Sequence, residues 1–183
     1  MDSLHNIKYF LKHQELERQD TDESCYLEIK ESKIKGTGSG LFTTKFIPKN
    51  SFITYLSPTY IFTGKQIYTD NKIITDQEQV YEIYRKNADY SMKYYNTRII
   101  SLPNYRNNKY LGHLLNDKGY KFGKIYKPQL NNCRYDENGL STISTRDIKE
   151  GEELYASYGK QYWYNNCPFS GKSRNQIIKE NLK

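Results

Sequence analysis

The sequence predicts a mostly β domain with one inserted helix and helical ends. From Cys25 onward, short runs that alternate apolar and polar residues are separated by turn residues. Near the middle, one capping pattern is followed by apolar residues on a single helical face. Apolar residues also fall at helical spacing at both ends of the chain.

The elements follow in order. Leu4, Ile7, Phe10 and Leu11 share a helical face, and the charged stretch from Gln14 to Glu23 reads as surface or linker, so residues 1–24 are expected to be a helical extension. Tyr26–Lys30 alternates as a strand, Lys33–Gly40 is a Gly-rich turn, and Leu41–Thr44 resumes a strand. Phe52–Leu56 is a further short apolar run. Thr75-Asp-Gln-Glu78 matches a capping box, and Val80, Ile83 and Tyr84 follow on one face, which predicts a helix near 76–87. Strands are expected at Thr97–Leu102, Lys121–Tyr126, Cys133–Tyr135 and Ser141–Arg146. Ser173-Arg-Asn-Gln176 matches a second capping box, so Ile177, Ile178 and Leu182 belong to a terminal helical segment over 166–183. No internal repeat is visible.

Composition bounds the function classes. The chain has 183 residues with 36% hydrophobic content, enough for one domain with a buried core. No apolar run approaches the ~18 residues of a membrane span, and the first residues lack the basic-then-apolar order of a secretory signal. Cys25, Cys133 and Cys167 are far apart and odd in number, which fits an intracellular protein with neither a disulfide framework nor a metal site. The 28 basic and 21 acidic residues give a net charge of +7, compatible with an acidic partner surface, nucleic acid or simply a solvated lysine-rich face.

Four segments carry the chemistry. The first is Ser32–Ile53, with Thr37-Gly38-Ser39-Gly40 between strands, where missing Cβ atoms let backbone approach a ligand. No phosphate-binding helix follows it, so it is not a dinucleotide fingerprint. The second is Leu111-Gly112-His113-Leu-Leu-Asn116-Asp117, and the third is Asn131-Asn132-Cys133-Arg134-Tyr135. The fourth, Arg146-Asp-Ile148-Lys-Glu-Gly151-Glu152-Glu153-Leu154, leads after three residues to Tyr158-Gly159.

In this order, these segments resemble the SET domain of protein lysine methyltransferases over residues 25–165, with an insert at about 60–108. The resemblance implies a β-clip fold of small curved sheets with a pseudoknot-like C-terminal threading, one of the rare exceptions to unthreaded chains. It implies S-adenosylmethionine-dependent protein lysine N-methylation with Tyr158 as the catalytic residue. Thr37, Gly38, Ser39, Gly40, Asn116, Asp117 and Trp163 would contact the cofactor, and Tyr55, Tyr135 and Ala156 would line the lysine channel. Asp117 stands where the family carries His, and Ser57 where a Gly usually follows the Tyr55 segment. The flanking Cys-rich modules are absent, so the aromatic stretch Tyr162–Phe169 is the expected substitute. Ala156 occupies a site often filled by Phe or Tyr, which leaves Tyr135 to limit the product to monomethyl-lysine.

The expected substrate is a histone tail or other basic protein, placing the protein in the nucleus or on chromatin of a eukaryotic cell or host. A weak contact with nucleosomal DNA and a homodimer are both compatible with the sequence, and no membrane partner is expected. Two competing readings are a catalytically weak SET-like scaffold, motivated by Asp117, and a nucleic-acid-binding protein, motivated by interleaved Lys and Tyr at 118–127.

Overall fold

Leu27–Glu31 (β1) and Ser39–Thr43 (β2) flank the Gly-rich turn and pair antiparallel, from Leu27 opposite Thr43 to Glu31 opposite Ser39. The computed structural model describes residues 26–56, 59–69, 72–87, 91–94, 97–102, 111–119, 126–136 and 141–165. The predicted terminal segments 1–24 and 166–183 and most of the strand expected at Lys121–Tyr126 lie outside the described residues. The chain divides into two compact units, one containing Thr54–His113, the other containing Leu27–Ile53 and Leu114–Lys183.

The second of these units carries two small sheets. Glu153–Leu154 (β11) adds to the free edge of β2, giving the order β1-β2-β11, with Leu154 opposite Leu41. Phe52–Tyr55 (β3), Ser141–Ser144 (β10) and Cys133–Tyr135 (β9) form the other, in the order β3-β10-β9; of β3, Phe52 and Ile53 belong to this unit and Thr54 and Tyr55 to the first. The core is apolar and closely shielded: Leu41, Ile53, Leu115, Ile148 and Leu154 have no exposed surface. An isolated bridge between Ile47 and Ile148 ties the segment after β2 to the segment before β11.

The unit around Thr54–His113 is built on a five-stranded antiparallel sheet. Its strands are Tyr60–Phe62 (β4), Ile67–Tyr68 (β5), Ile73–Ile74 (β6), Ser91–Tyr94 (β7) and Thr97–Ile100 (β8), in the order β6-β5-β4-β8-β7. Ile67 and Ile74 pack with Val80 of the helix Gln77–Asn87 (α1), and the Phe62 and Tyr84 rings stack at 4.3 Å. The capping pattern is realised one residue later than expected. Asp76, not Thr75, caps α1: its Oδ1 accepts the Gln79 N–H at 2.9 Å.

Candidate active site

The Arg146–Leu154 run has a structural reason at nearly every position. Arg146 forms a two-pronged ion pair with Glu152, Nη2 to Oε2 at 2.6 Å and Nη1 to Oε1 at 3.2 Å. The hydrogen bond from Arg146 holds the Glu152 carboxyl below its ordinary pKa. Ile148 is fully buried, and Gly151 turns the chain at φ 76°, a conformation that side chains disfavour.

Glu153, next in line, points the other way and is almost fully buried. Its Oε1 accepts from Ser32 Oγ at 2.6 Å and Asn116 Nδ2 at 3.3 Å. Its Oε2 accepts from the Lys33 N–H and the Tyr155 hydroxyl, both at 2.7 Å. This carboxylate therefore ties the Gly-rich turn, the Asn116 segment and the C-terminal segment together.

Gly40 is required by that arrangement. A Cβ there would lie 2.2 Å from Glu153 Oε1, so the position is filled by the protein's own carboxylate. Gly38 differs: its φ is 76° and nothing lies within 4 Å of a Cβ built on it. Thr37, Gly38 and Ser39 are exposed, and Asn116 Nδ2 steadies them by donating to the Ser39 carbonyl at 3.0 Å.

The chain from Glu153 to Ala156 runs between two other segments. On one side the Ala156 N–H donates to the Asn116 carbonyl at 2.9 Å. On the other, the Cys133 N–H donates to the Tyr155 carbonyl at 2.9 Å. The Asn132 side chain adds Nδ2 to the Glu153 carbonyl at 2.9 Å and accepts the Tyr155 N–H on Oδ1 at 2.8 Å. Glu153–Ala156 is therefore the middle of three hydrogen-bonded segments.

Beyond it the chain delivers Tyr158. The Tyr158 hydroxyl donates to the Leu115 carbonyl at 2.7 Å, and its N–H donates to Asp117 Oδ2 at 2.8 Å. Gly159 (φ 83°) then turns the chain into Lys160–Asn165 (α2), which carries Tyr162 and Trp163. The Trp163 ring stacks on Tyr158 at 5.8 Å and 18°, and Tyr162 meets Tyr158 edge-on at 4.8 Å. Burial, reinforced by Tyr135, Tyr162, Asp117 and Glu153, pushes the Tyr158 phenol well above its ordinary pKa. The Tyr135 phenol is raised in the same way, chiefly by burial.

Of the residues singled out from sequence, Thr37–Gly40, Asn116, Asp117, Tyr135, Ala156, Tyr158 and Trp163 all belong to one unit. Tyr55 belongs to the other, where its backbone carbonyl leaves no room for a Cβ on Gly112. That accounts for the Gly in Leu111-Gly112-His113. Asp117 directs both carboxylate oxygens at protein donors. Sequence reasoning passed over Glu153, Tyr126 and Ser157. The clue to Glu153 was an acid set directly before a buried Leu; Tyr126, whose hydroxyl bonds Asp117 and Ser157, gave none.

A profile of the family described as "SET domain" matches residues 38–159, the greater part of the chain. The chain belongs to the SET-domain family. Its matched span starts at Gly38 and ends at Gly159, so Gly38–Gly40 at the end of the Gly-rich turn, Asn116 and Tyr158 fall inside the SET domain, and Thr37 lies just before it. A crystal structure from Plasmodium falciparum, described as a "putative histone methyltransferase", has a TM-score of 0.45 to this SET domain at 19% identity. The alignment covers 75% of this chain and 96% of that one. No curated protein matches the sequence.

Proposed function

We propose that this SET domain is a protein lysine N-methyltransferase that uses S-adenosylmethionine and yields mainly monomethyl-lysine. The observation that carries the reading is the state of Tyr158: a neutral, packed phenol whose proton is committed to the Leu115 carbonyl. Its oxygen lone pairs remain available to orient an amine N–H.

The residues present fit the cofactor. Exposed backbone at Thr37–Ser39, open space over Gly38 and the neighbouring Asn116 suit a ligand with both amine and carboxylate groups. The faces of Tyr158, Tyr162 and Trp163 suit a cationic sulfonium. When bound, S-adenosylmethionine supplies an electrophilic methyl group on a sulfide leaving group.

The protein's part is alignment and desolvation. Lysine with a pKa near ~10.4 is neutral in about one molecule per thousand at neutral pH, a cost of roughly 4 kcal/mol. A tyrosine-lined, water-poor channel disfavours the ammonium and recovers part of it. The amine's proton goes to water, because phenols held neutral make poor bases. Tyr158 would hold the amine lone pair in line with the transferable methyl group, and such orientation would contribute much of the rate.

Tyr135, on β9 two residues after Cys133, which bridges Ala156, is the residue proposed to limit methyl number. The substrate proposed is a histone tail or other basic protein, met in the nucleus or on chromatin of the cell or host. Peptide-array methylation with labelled cofactor, followed by mass spectrometry, tests the reading. It predicts monomethyl-lysine on basic peptides, and a shift toward dimethyl-lysine in Tyr135→Phe. Trimethylation by the intact protein would remove Tyr135 from this role, and no labelled lysine on any peptide would remove the function.

A further inference from the structure

Asp117 is buried and receives five hydrogen bonds from the protein. Its Oδ1 accepts from the Gly119 N–H and from Asn131 Nδ2, both at 2.8 Å. Its Oδ2 accepts from the Tyr126 hydroxyl at 2.9 Å, the Tyr158 N–H at 2.8 Å and Trp163 Nε1 at 2.9 Å. The donors come from four separate stretches: the turn just after Asp117, Tyr126, Asn131 and the C-terminal segment.

A carboxylate suits this demand better than the alternatives. Both of its oxygens accept, whereas an imidazole offers at most one acceptor and an amide would turn N–H groups toward donors. Two of the three donors on Oδ2 belong to the stacked pair Tyr158 and Trp163. One oxygen therefore fixes both members of the aromatic wall. The Tyr126 hydroxyl extends the network to Ser157, immediately before Tyr158. The Asp found where a His is usual adds acceptors that a His could not supply.

We infer that Asp117 is the positioning residue of this site, its carboxylate locking Tyr158 and Trp163 together and so fixing where the Tyr158 hydroxyl stands. This rests on the proposed part of Tyr158 in methyl transfer. Asp117 itself acts through Tyr158 and Trp163 and is assigned no contact with the reacting atoms.

Trp163 is the chain's single tryptophan, so tryptophan emission, excited selectively over the 19 tyrosines, reports on this lock. Asp117→Asn should unfold cooperatively yet show red-shifted Trp163 emission and stronger acrylamide quenching. Its kcat should fall about tenfold or more, since small misplacements at a reacting centre are costly, while the KM for the protein substrate changes less than about threefold. Emission and quenching at wild-type values, or an unchanged kcat, would overturn the inference. Should Asp117→Asn not fold, Tyr126→Phe decides: withdrawing one donor should shift emission in the same direction, and a wild-type spectrum overturns the lock. If the wild-type protein transfers no methyl group, the spectra still test the lock, and the proposed function alone fails.

Discussion

At position 40 an added methyl group has no space, since Glu153 Oε1 would lie 2.2 Å away and Asn116 Nδ2 3.3 Å away. Gly40→Ala must displace a buried carboxylate that accepts four hydrogen bonds, so it should cost about 1–3 kcal/mol in chemical denaturation. An unchanged denaturation midpoint would mean that Glu153 moves aside freely. Gly38 and Gly40 of the turn thus have different reasons: Gly40 makes room for Glu153, and Gly38 adopts a positive φ over open space. From sequence alone both read as openings for a ligand, because the partner of Gly40 lies more than a hundred residues away. Asp117 was misleading for a similar reason: it looks like a lost His until its five donors, spread over more than forty residues, are seen together.

Among elements, those with a local physical cause were legible. The helix expected near 76–87 is observed at Gln77–Asn87, and only its cap moved by one residue, because Asp76 accepts from Gln79. Asp76→Ala should cost ~1 kcal/mol in the stability of the fold around α1, measurable by thermal denaturation. No loss at all would return the cap to Thr75. The strands β1, β2, β3, β8, β9 and β10 were also visible as alternating or apolar runs. Strands β4 to β7 were not: β5 and β6 have two residues each, too few for a period to register, and β4 and β7 lie in the stretch read only as an insert. β11 was hidden differently: Glu153 and Leu154 read as part of a motif, and their strand character depends on pairing with the distant β2.

For the molecule as a whole, several acids are held neutral by burial, and this sets an alkaline limit to stability. Burial pushes the Cys133 thiol from 9.0 up to about 12 and the Tyr126 phenol from 10.0 to about 12. Tyr135, Tyr155 and Tyr158 are also raised, first of all by burial. Each folded pKa lies above its unfolded value, so the contribution is complete below the unfolded pKa and is lost as pH rises through the folded one. The melting temperature should therefore decline from about pH 9 to about pH 12. In Cys133→Ala the decline should begin nearer pH 10, where the unfolded tyrosines start to ionise. A melting temperature flat to pH 12 would mean these groups are not held neutral in the fold.

The same neutrality underlies the central claim that Tyr158 orients an amine through its oxygen without acting as a base. The direct test is single-turnover methyl transfer to a basic peptide by the wild-type protein and by Tyr158→Phe, with cofactor affinity measured in parallel. The account predicts a rate lowered by about a hundredfold or more in the variant, with cofactor affinity within about threefold of wild type. Equal rates in the two proteins would contradict it.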